Sequence, residues 1–170
     1  MKGMTNVFGE LDIKDRWNLK IIKVEPHEVK SYTPIGMAYV MMRNASFESK
    51  DISLSNKYAC VNTRDPFTVA CEEDSSACII EFPGLTLLET RLYIQDCLDM
   101  GNLSYMDGGT NTTAINPGRL GDPVVNYVHF PAHMYQTLHT HPSHRVGLVI
   151  RGNGKIELDN KEYYDINEGE

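Results

Sequence analysis

Three of the six histidines in this 170-residue chain lie close together, in the stretch HTHPSH that begins at His139. Successive side chains of a β-strand point to opposite faces, so His139 and His141 would present their imidazoles to the same space. Pro142-Ser143 would then turn the chain and place His144 at the start of a strand with apolar even positions. Three converging neutral imidazoles suit Zn, Fe, Mn, Co or Ni. The spacing predicts a metal site formed by His139, His141 and His144, and the alternative is a chance cluster that packs without a metal.

Two neighbours of this cluster would share the face of the first pair. Tyr135 and Thr137 have the same strand parity as His139, so they are candidates for lining a pocket. The Tyr135 hydroxyl could bind a substrate or deliver a proton, although a packing role alone is the alternative. His133 also has this parity, but at ~3.3 Å per residue it lies about 20 Å along the strand. We therefore expect His133 to be a surface or loop residue.

The stretch from His139 to Gly152 resembles the first conserved motif of the cupin superfamily. That motif pairs His-x-His with a Glu and continues into an apolar strand that ends in glycine. Here His139 and His141 match the two histidines, and residues 146–152, VGLVIRG, match the strand and its glycine. The preceding NYVHFPAHMYQTLHTH is similar to the lead-in strand and proline turn, and KEYYDINEGE is similar to the opening of the second motif. The resemblance covers residues 124–170 and implies a cupin-type double-stranded β-helix, a jelly-roll barrel.

The sequence departs from the cupin pattern in two ways. The place of the motif's Glu falls on His144 or Arg145, of which only His144 could serve as a ligand, since a guanidinium keeps its proton. Gln136 is a weaker substitute, because its parity points away from the histidine pair. The chain also stops at Glu170, before the strand, proline turn and histidine with which a second cupin motif continues. We therefore expect a barrel that is cut short at its C-terminus.

Short apolar, β-branched or aromatic runs separated by turn residues predict a mainly β protein. Residues 1–100 form a β-rich N-terminal segment, in which NKYACVNTRDPFTVACEEDSSACIIEFPG resembles the closing half of a cupin barrel. This segment is either a degenerate cupin half, as in a bicupin, or a β-rich extension packed on the C-terminal barrel. Residues 101–123 are a polar connection, and 124–170 hold the cupin motif. The predicted strands are 19–24, 36–42, 57–61, 67–71, 77–82, 124–130, 134–141, 145–150, 154–158 and 161–166, with 88–95 ambiguous between strand and helix and a helix considered near 8–18.

Composition excludes several classes of function. The net charge of −7 and the absence of a basic run argue against nucleic-acid binding. No stretch approaches the ~18 apolar residues of a membrane helix, and the first residues lack the apolar core of a secretion signal. The cysteines form no CxxC pair and lie in or beside apolar runs, so we expect reduced core residues in a cytoplasmic protein. These cysteines are Cys60, Cys71, Cys78 and Cys97.

The function predicted from these features is a metal-binding cupin that acts on or binds a small molecule. An enzyme of this kind would be a dioxygenase-like oxidoreductase or an isomerase, with Fe2+ expected first and Mn2+, Zn2+, Ni2+ or Co2+ as the other candidates. The alternatives are a non-catalytic small-ligand-binding or sensor cupin, and a structural or assembly domain with a vestigial pocket. The resemblance also implies a homodimer. Arg119 and Asp122 in the polar connection are either a surface ion pair or part of a loop that could meet an anionic ligand.

Overall fold

The computed structural model describes residues 10–14, 18–86, 89–96 and 98–170. The mainly β prediction is confirmed, since the regular structure of these residues consists of antiparallel strands and one short 3-10 turn, Met106–Gly108. Within these ranges no helix has the length and apolar character needed to span a bilayer. The strands are β1 Glu10–Ile13, β2 Leu19–Val24, β3 Val29–Tyr32, β4 Met37–Ser49, β5 Ser53–Thr63, β6 Phe67–Ala70, β7 Ser76–Phe82, β8 Arg91–Ile94, β9 Leu103–Ser104, β10 Thr110–Ile115, β11 Val125–His129, β12 Asn153–Glu157 and β13 Tyr163–Asn167.

The first eight strands form one antiparallel sheet in the order β1-β2-β7-β4-β5-β8, with β3 paired to β6. The long strand β4 changes neighbours along its length. Met37–Arg43 pair with β7, whereas Ser46–Ser49 pair with β6. The register against β5 shifts between Met42 and Ala45, where Asn44 has a positive φ of 50°. A bulge of this kind bends a strand and turns a sheet corner, so β4 connects the β3-β6 pair to the rest of the sheet.

Apolar side chains fill both faces of this sheet. The first cluster is built around Phe47 and Phe67, whose rings stack at 5.2 Å, and all its buried members lie between residues 22 and 79. The second cluster covers the opposite face and includes Tyr39 and Ile115. Partly buried Val125, Val146 and Leu148 of the C-terminal part pack against this second cluster. Strands that are apolar on both faces are typical of a sheet covered on both sides.

A buried carboxylate fixes the turn before β4. Glu81 of β7 is 1% exposed, and it accepts hydrogen bonds from the Tyr32 hydroxyl and from the amides of Ile35 and Gly36. No side chain could replace the hydrogen of Gly36, because a Cβ there would lie 2.1 Å from a carbonyl oxygen of β7. The turn is thus held to β7 by close backbone approach and by polar contacts together.

The C-terminal part forms two smaller sheets, β11-β10-β9 and the hairpin β12-β13. Arg43 of β4 joins this part to the main sheet, and its side chain is only 14% exposed. Its Nε donates to the Ile150 carbonyl at 3.1 Å, its Nη1 to the Asp74 carbonyl, and its Nη2 pairs with Glu168. A single guanidinium therefore connects three segments that are distant in sequence.

The predicted strands agree with the structure over most of the chain. Within 88–95, Arg91–Ile94 form strand β8, and residue 88 lies outside the described residues. Two predictions were wrong in residues 124–170, since the described residues 130–152 contain no strand, whereas 134–141 and 145–150 were expected to form two. Alternation marks a strand only where a neighbour supplies a ladder of hydrogen bonds. Among the described residues, the backbone bonds from this stretch to distant positions are those that Val149 exchanges with Gly169 and Glu170.

Two further differences lie in the N-terminal part. A helix was considered near 8–18, but Glu10–Ile13 form a strand against β2, and residues 8–9 and 15–17 lie outside the described residues. Strand β3 was missed, because VKSY carries few apolar residues and pairs only with β6. Both are short strands whose positions depend on a partner distant in sequence.

Candidate functional site

The structure brings two of the three predicted metal ligands together. Nε2 of His139 lies 3.1 Å from Nε2 of His141, and the ring centroids are 4.7 Å apart with the planes at 83°. Both residues are exposed and lie in an extended segment that carries no strand ladder. Their i, i+2 spacing in an extended chain places the two rings on one side. The imidazoles therefore converge without the strand that sequence reasoning expected to position them.

The hydrogen bonds around this pair assign a tautomer to each ring. Nδ1 of His139 lies 2.8 Å from the Thr137 carbonyl oxygen, which can only accept, so this nitrogen carries the proton. Nη2 of Arg145 lies 2.9 Å from Nδ1 of His141, and a guanidinium can only donate. Neutral His141 therefore carries its proton on Nε2 and donates it to Nε2 of His139. The result is a directed chain from Arg145 through both imidazoles to Thr137.

The electrostatics of the pair favour a neutral His141. Partial desolvation lowers the pKa of His141, and the nearby Arg145 and His139 lower it further. Each of these effects disfavours the imidazolium, because it would be poorly hydrated and close to positive charge. His141 is thus uncharged at neutral pH, which is the form that binds a transition metal.

Asp107 contacts the segment that carries the histidine pair, although the sequence did not predict it as a site residue. Its carboxylate accepts a hydrogen bond from the Thr137 amide at 2.8 Å, and bonds from Thr137 lower the pKa of Asp107, with His139 adding to the effect. Asp107 has a positive φ of 55° within the 3-10 turn. Asp107 is followed by two glycines, a pattern typical of a turn, but Thr137 lies 30 positions away and no local pattern reveals the contact.

The third predicted ligand is not grouped with the other two. Among the described residues, no set of three or more His, Cys, Asp or Glu side chains is close enough together to hold a metal ion. His144 is exposed, as are its neighbours from Pro142 to Arg145. Val146 and Leu148, the next even-numbered positions after His144, pack against the second apolar cluster. The buried face that the sequence predicted therefore begins after His144. The turn at Pro142-Ser143 is present, but no strand follows it to carry His144 inward.

Tyr135, the predicted proton-handling residue, is 69% exposed. Its hydroxyl lies 3.3 Å from Oε2 of Glu157 on β12, and the negative charge of Glu157 raises the pKa of this phenol. The same carboxylate raises the pKa of Tyr163 on β13. Tyr135 is therefore part of a Tyr–Glu–Tyr surface cluster that joins the histidine-bearing segment to the last hairpin.

The other singled-out residues lie where sequence reasoning placed them, as far as they are described. His133 is exposed in a turn with φ of 62°. Arg119 and Asp122 form the predicted ion pair. Cys60, Cys71 and Cys78 are free and buried, and burial raises the pKa of each of these thiols. Cys97 lies outside the described residues.

Comparison of this chain with models of known protein families, with curated proteins and with solved structures finds no match.

Proposed function

We propose that this chain is a cupin-type metal-binding protein in which His139 and His141 hold a divalent transition metal for a small-molecule ligand. The proposal combines the resemblance of residues 139–152 to the first cupin motif with the mainly β fold and the imidazole pair. His144 is included as the third ligand, and Fe2+ is the metal expected first, with Mn2+, Zn2+, Ni2+ and Co2+ as the other candidates.

The observation that carries the proposal is the 3.1 Å separation of the two Nε2 atoms. Two imidazole nitrogens that bind one ion at ~2.0–2.1 Å lie roughly 2.9–3.4 Å apart, for angles between about 90° and 109°. The observed distance falls in this range. The bond from Nδ1 of His139 to the Thr137 carbonyl also supports the proposal, because it fixes the tautomer in which Nε2 of His139 is unprotonated and could bind a metal once the His141 proton has left Nε2.

Arg145 opposes metal binding in the arrangement described. While Arg145 donates to Nδ1 of His141, the proton of that ring stays on Nε2, where a metal would bind. A metal must therefore displace Arg145, and the His141 proton must move to Nδ1 or leave. The guanidinium charge adds electrostatic repulsion. Metal affinity is thus coupled to the position of this one side chain.

The exposure of both imidazoles favours metal-dependent ligand binding over catalysis, because catalytic sites usually exclude water. An ion at this pair would supply Lewis-acid polarisation of a ligand oxygen. The second candidate function is a metal-dependent dioxygenase-like enzyme or isomerase, with Tyr135 as the proton donor. The observation that favours it is the Tyr135–Glu157 hydrogen bond, which connects the phenol to a proton acceptor.

The test is a titration of the metal-free protein with Co2+, followed by its visible absorption. We expect one equivalent of Co2+ to bind to the wild type with nitrogen-ligand bands, and His139→Ala or His141→Ala to weaken binding at least 100-fold. His133→Ala is the matched control, since this histidine lies in the same exposed region but outside the pair, and it should bind as the wild type does. Equal losses in His139→Ala and His133→Ala would contradict the proposed site.

His144 is tested in the same titration. If it is the third ligand, His144→Ala weakens Co2+ binding at least tenfold. If His144→Ala binds Co2+ with wild-type affinity, the site has two protein ligands, His139 and His141. Binding should also decline as the pH falls through the lowered pKa of His141, because protons and metal compete for the same nitrogen.

A further inference from the structure

A small cavity lies at the edge of the main sheet, apart from the histidine pair. Its volume is about 230 Å³, and it is lined by side chains from β5, β8 and the loop after β10. The polar residues Asn62, Arg91 and Arg119 contribute to its wall, together with Glu89 and Asn116. These charged and amide groups are set in a wall whose exposed surface is otherwise mainly apolar.

Both guanidiniums in the wall are held by hydrogen bonds, and each has an N–H group that is not used in those bonds. Nε and Nη2 of Arg119 donate side-on to the two oxygens of Asp122, at 3.3 and 3.1 Å. Arg91 donates from Nη1 to the Asn116 carbonyl at 2.7 Å and from Nη2 to Glu89 at 3.1 Å. Within the described residues, Nη1 of Arg119 and Nε of Arg91 have no acceptor. Anchored guanidiniums with spare N–H groups are suited to binding an oxyanion at a low entropic cost.

A buried hydroxyl without a partner lies next to one of the lining residues. Tyr39 is 2% exposed, and its Oη has no hydrogen-bond partner among the described residues. Tyr39 is paired directly with Asn62 across β4 and β5, so the two side chains share a face. The Tyr39 hydroxyl is closed off from solvent, so it does not itself open into the cavity. Leaving such a hydroxyl unpaired destabilises the fold.

Tyr39 lies within range of the charges around the cavity, and the Asn62 side chain lines the cavity itself. Burial raises the pKa of Tyr39 to about 12, and the charges of Asp122, Arg91 and Arg119 all act on this hydroxyl. The Asn62 amide donates only a long bond of 3.4 Å to the Glu89 carbonyl, whereas its oxygen accepts from the Arg91 amide at 2.6 Å. The side-chain NH2 of Asn62 is therefore only weakly engaged and adds a third donor to the wall.

The hydrogen-bond donors and charges of the cavity wall indicate which class of ligand would bind. The spare groups are mainly donors, and the two arginines are already balanced by Glu89 and Asp122. A monoanion adds one charge to a balanced site, whereas a dianion such as phosphate adds two and is penalised more. At ~30 Å³ per water the cavity holds about eight waters, which limits the ligand to a few heavy atoms.

We propose that the cavity lined by Asn62, Arg91 and Arg119 binds a small monocarboxylate through the spare donors of the two guanidiniums. This site is separate from the histidine pair, and it requires no metal. Its existence does not depend on the proposed metal-binding function.

The proposal is tested by calorimetric titration of the metal-free protein with propionate, propionamide and inorganic phosphate. Propionamide has the shape of propionate without its charge. We expect saturable binding of propionate, with propionamide and phosphate at least tenfold weaker. Equal affinity for propionate and propionamide would overturn the proposal, because the guanidiniums would then contribute nothing.

Substitutions of single residues test whether propionate binds in this cavity. Arg119→Gln should weaken propionate binding at least tenfold, and Arg64→Gln is the matched control, since Arg64 is exposed in the β5–β6 turn and its loss changes the net charge equally. Tyr39→Phe should raise the unfolding temperature of the free protein, because it removes the unpaired hydroxyl. Undiminished binding in folded Arg119→Gln would assign propionate to another place and refute the site.

Discussion

Residues 19–82 and residues 124–170 both contain strand-like apolar runs, but they bury them to very different extents. In the first range every strand except β3 has partners on both sides, and apolar clusters cover both faces of the sheet. In the second range large side chains stay exposed, among them Phe130 at 50%, Leu138 at 57% and Tyr163 at 60%. The comparison shows that such runs form a core only where strand partners fold the sheet around them.

The contrast extends to polar groups. Glu81 in the first range is buried with three donors around it, whereas Glu157 in the second range interacts with two exposed tyrosines. Buried polar groups stabilise one conformation only when they are satisfied. Exposed ones remain free to change partners, and the candidate metal site lies in the region with such freedom.

The largest effect is expected from a truncation in the first region. Phe47→Ala should lower the free energy of unfolding by about 3–5 kcal/mol, because Phe47 is 1% exposed and stacked on Phe67. Leu138→Ala in the second region should change it by less than about 0.5 kcal/mol. Urea unfolding followed by circular dichroism measures both. Similar losses in the two variants would break the comparison.

Glu81→Gln should destabilise the protein by about 1–3 kcal/mol, because one acceptor oxygen is replaced by an NH2 that faces existing donors. Glu72→Gln, an exposed change of the same chemistry, is the control and should be close to neutral. The same urea experiment applies. A neutral Glu81→Gln would mean that the turn before β4 is held by packing alone.

Arg43→Gln should loosen the connection between the two regions without unfolding the first. We expect amide hydrogen exchange in β12 and β13 to become about tenfold faster, equivalent to about 1.4 kcal/mol, with exchange in β2 and β7 unchanged. The reason is that Arg43 holds Ile150 and Glu168 against β4. Equal acceleration in all four strands would show that the regions unfold as one unit.

The Arg43–Glu168 pair also predicts a pH dependence. Arg43 and the Gly152 amide lower the pKa of Glu168, so its contribution is present above the unfolded pKa and is lost as the pH falls through the folded pKa. The effect is small, because the Glu168 side chain is 41% exposed. The protection of amides in β12 and β13, corrected for the pH dependence of intrinsic exchange, should therefore fall at acidic pH in the wild type and less so in Glu168→Gln.

The smallest effect concerns the histidine pair. Arg145→Gln should raise the pKa of His141 towards its ordinary value, because the guanidinium charge is one cause of its depression. Co2+ affinity should rise severalfold at pH 7.5, since the amide oxygen can accept from Nδ1 and leave Nε2 free. Histidine NMR titrations and the Co2+ titration measure these quantities. Weaker Co2+ binding in this variant would show that Arg145 supports the site instead of opposing it.

Local sequence patterns predicted the β class, most strands up to residue 82, the exposed position of His133, the burial of Cys60, Cys71 and Cys78, and the closeness of His139 to His141. Each of these follows from alternation, turn residues or an i, i+2 spacing, which act over a few positions. The cupin resemblance and the three-histidine site stay predictions that rest on the motif.

Which distant groups meet depends on the tertiary structure. It places Asp107 against Thr137, Arg43 against Ile150 and Glu168, and Arg91 and Arg119 at one cavity. It also left residues 134–141 without a strand ladder, although their alternation is clear. Alternation in the sequence indicates which side chains of one strand can share a face. It does not indicate which strands pair or which faces are buried, because these depend on the order of strands in the sheet and on loops that close over tens of residues.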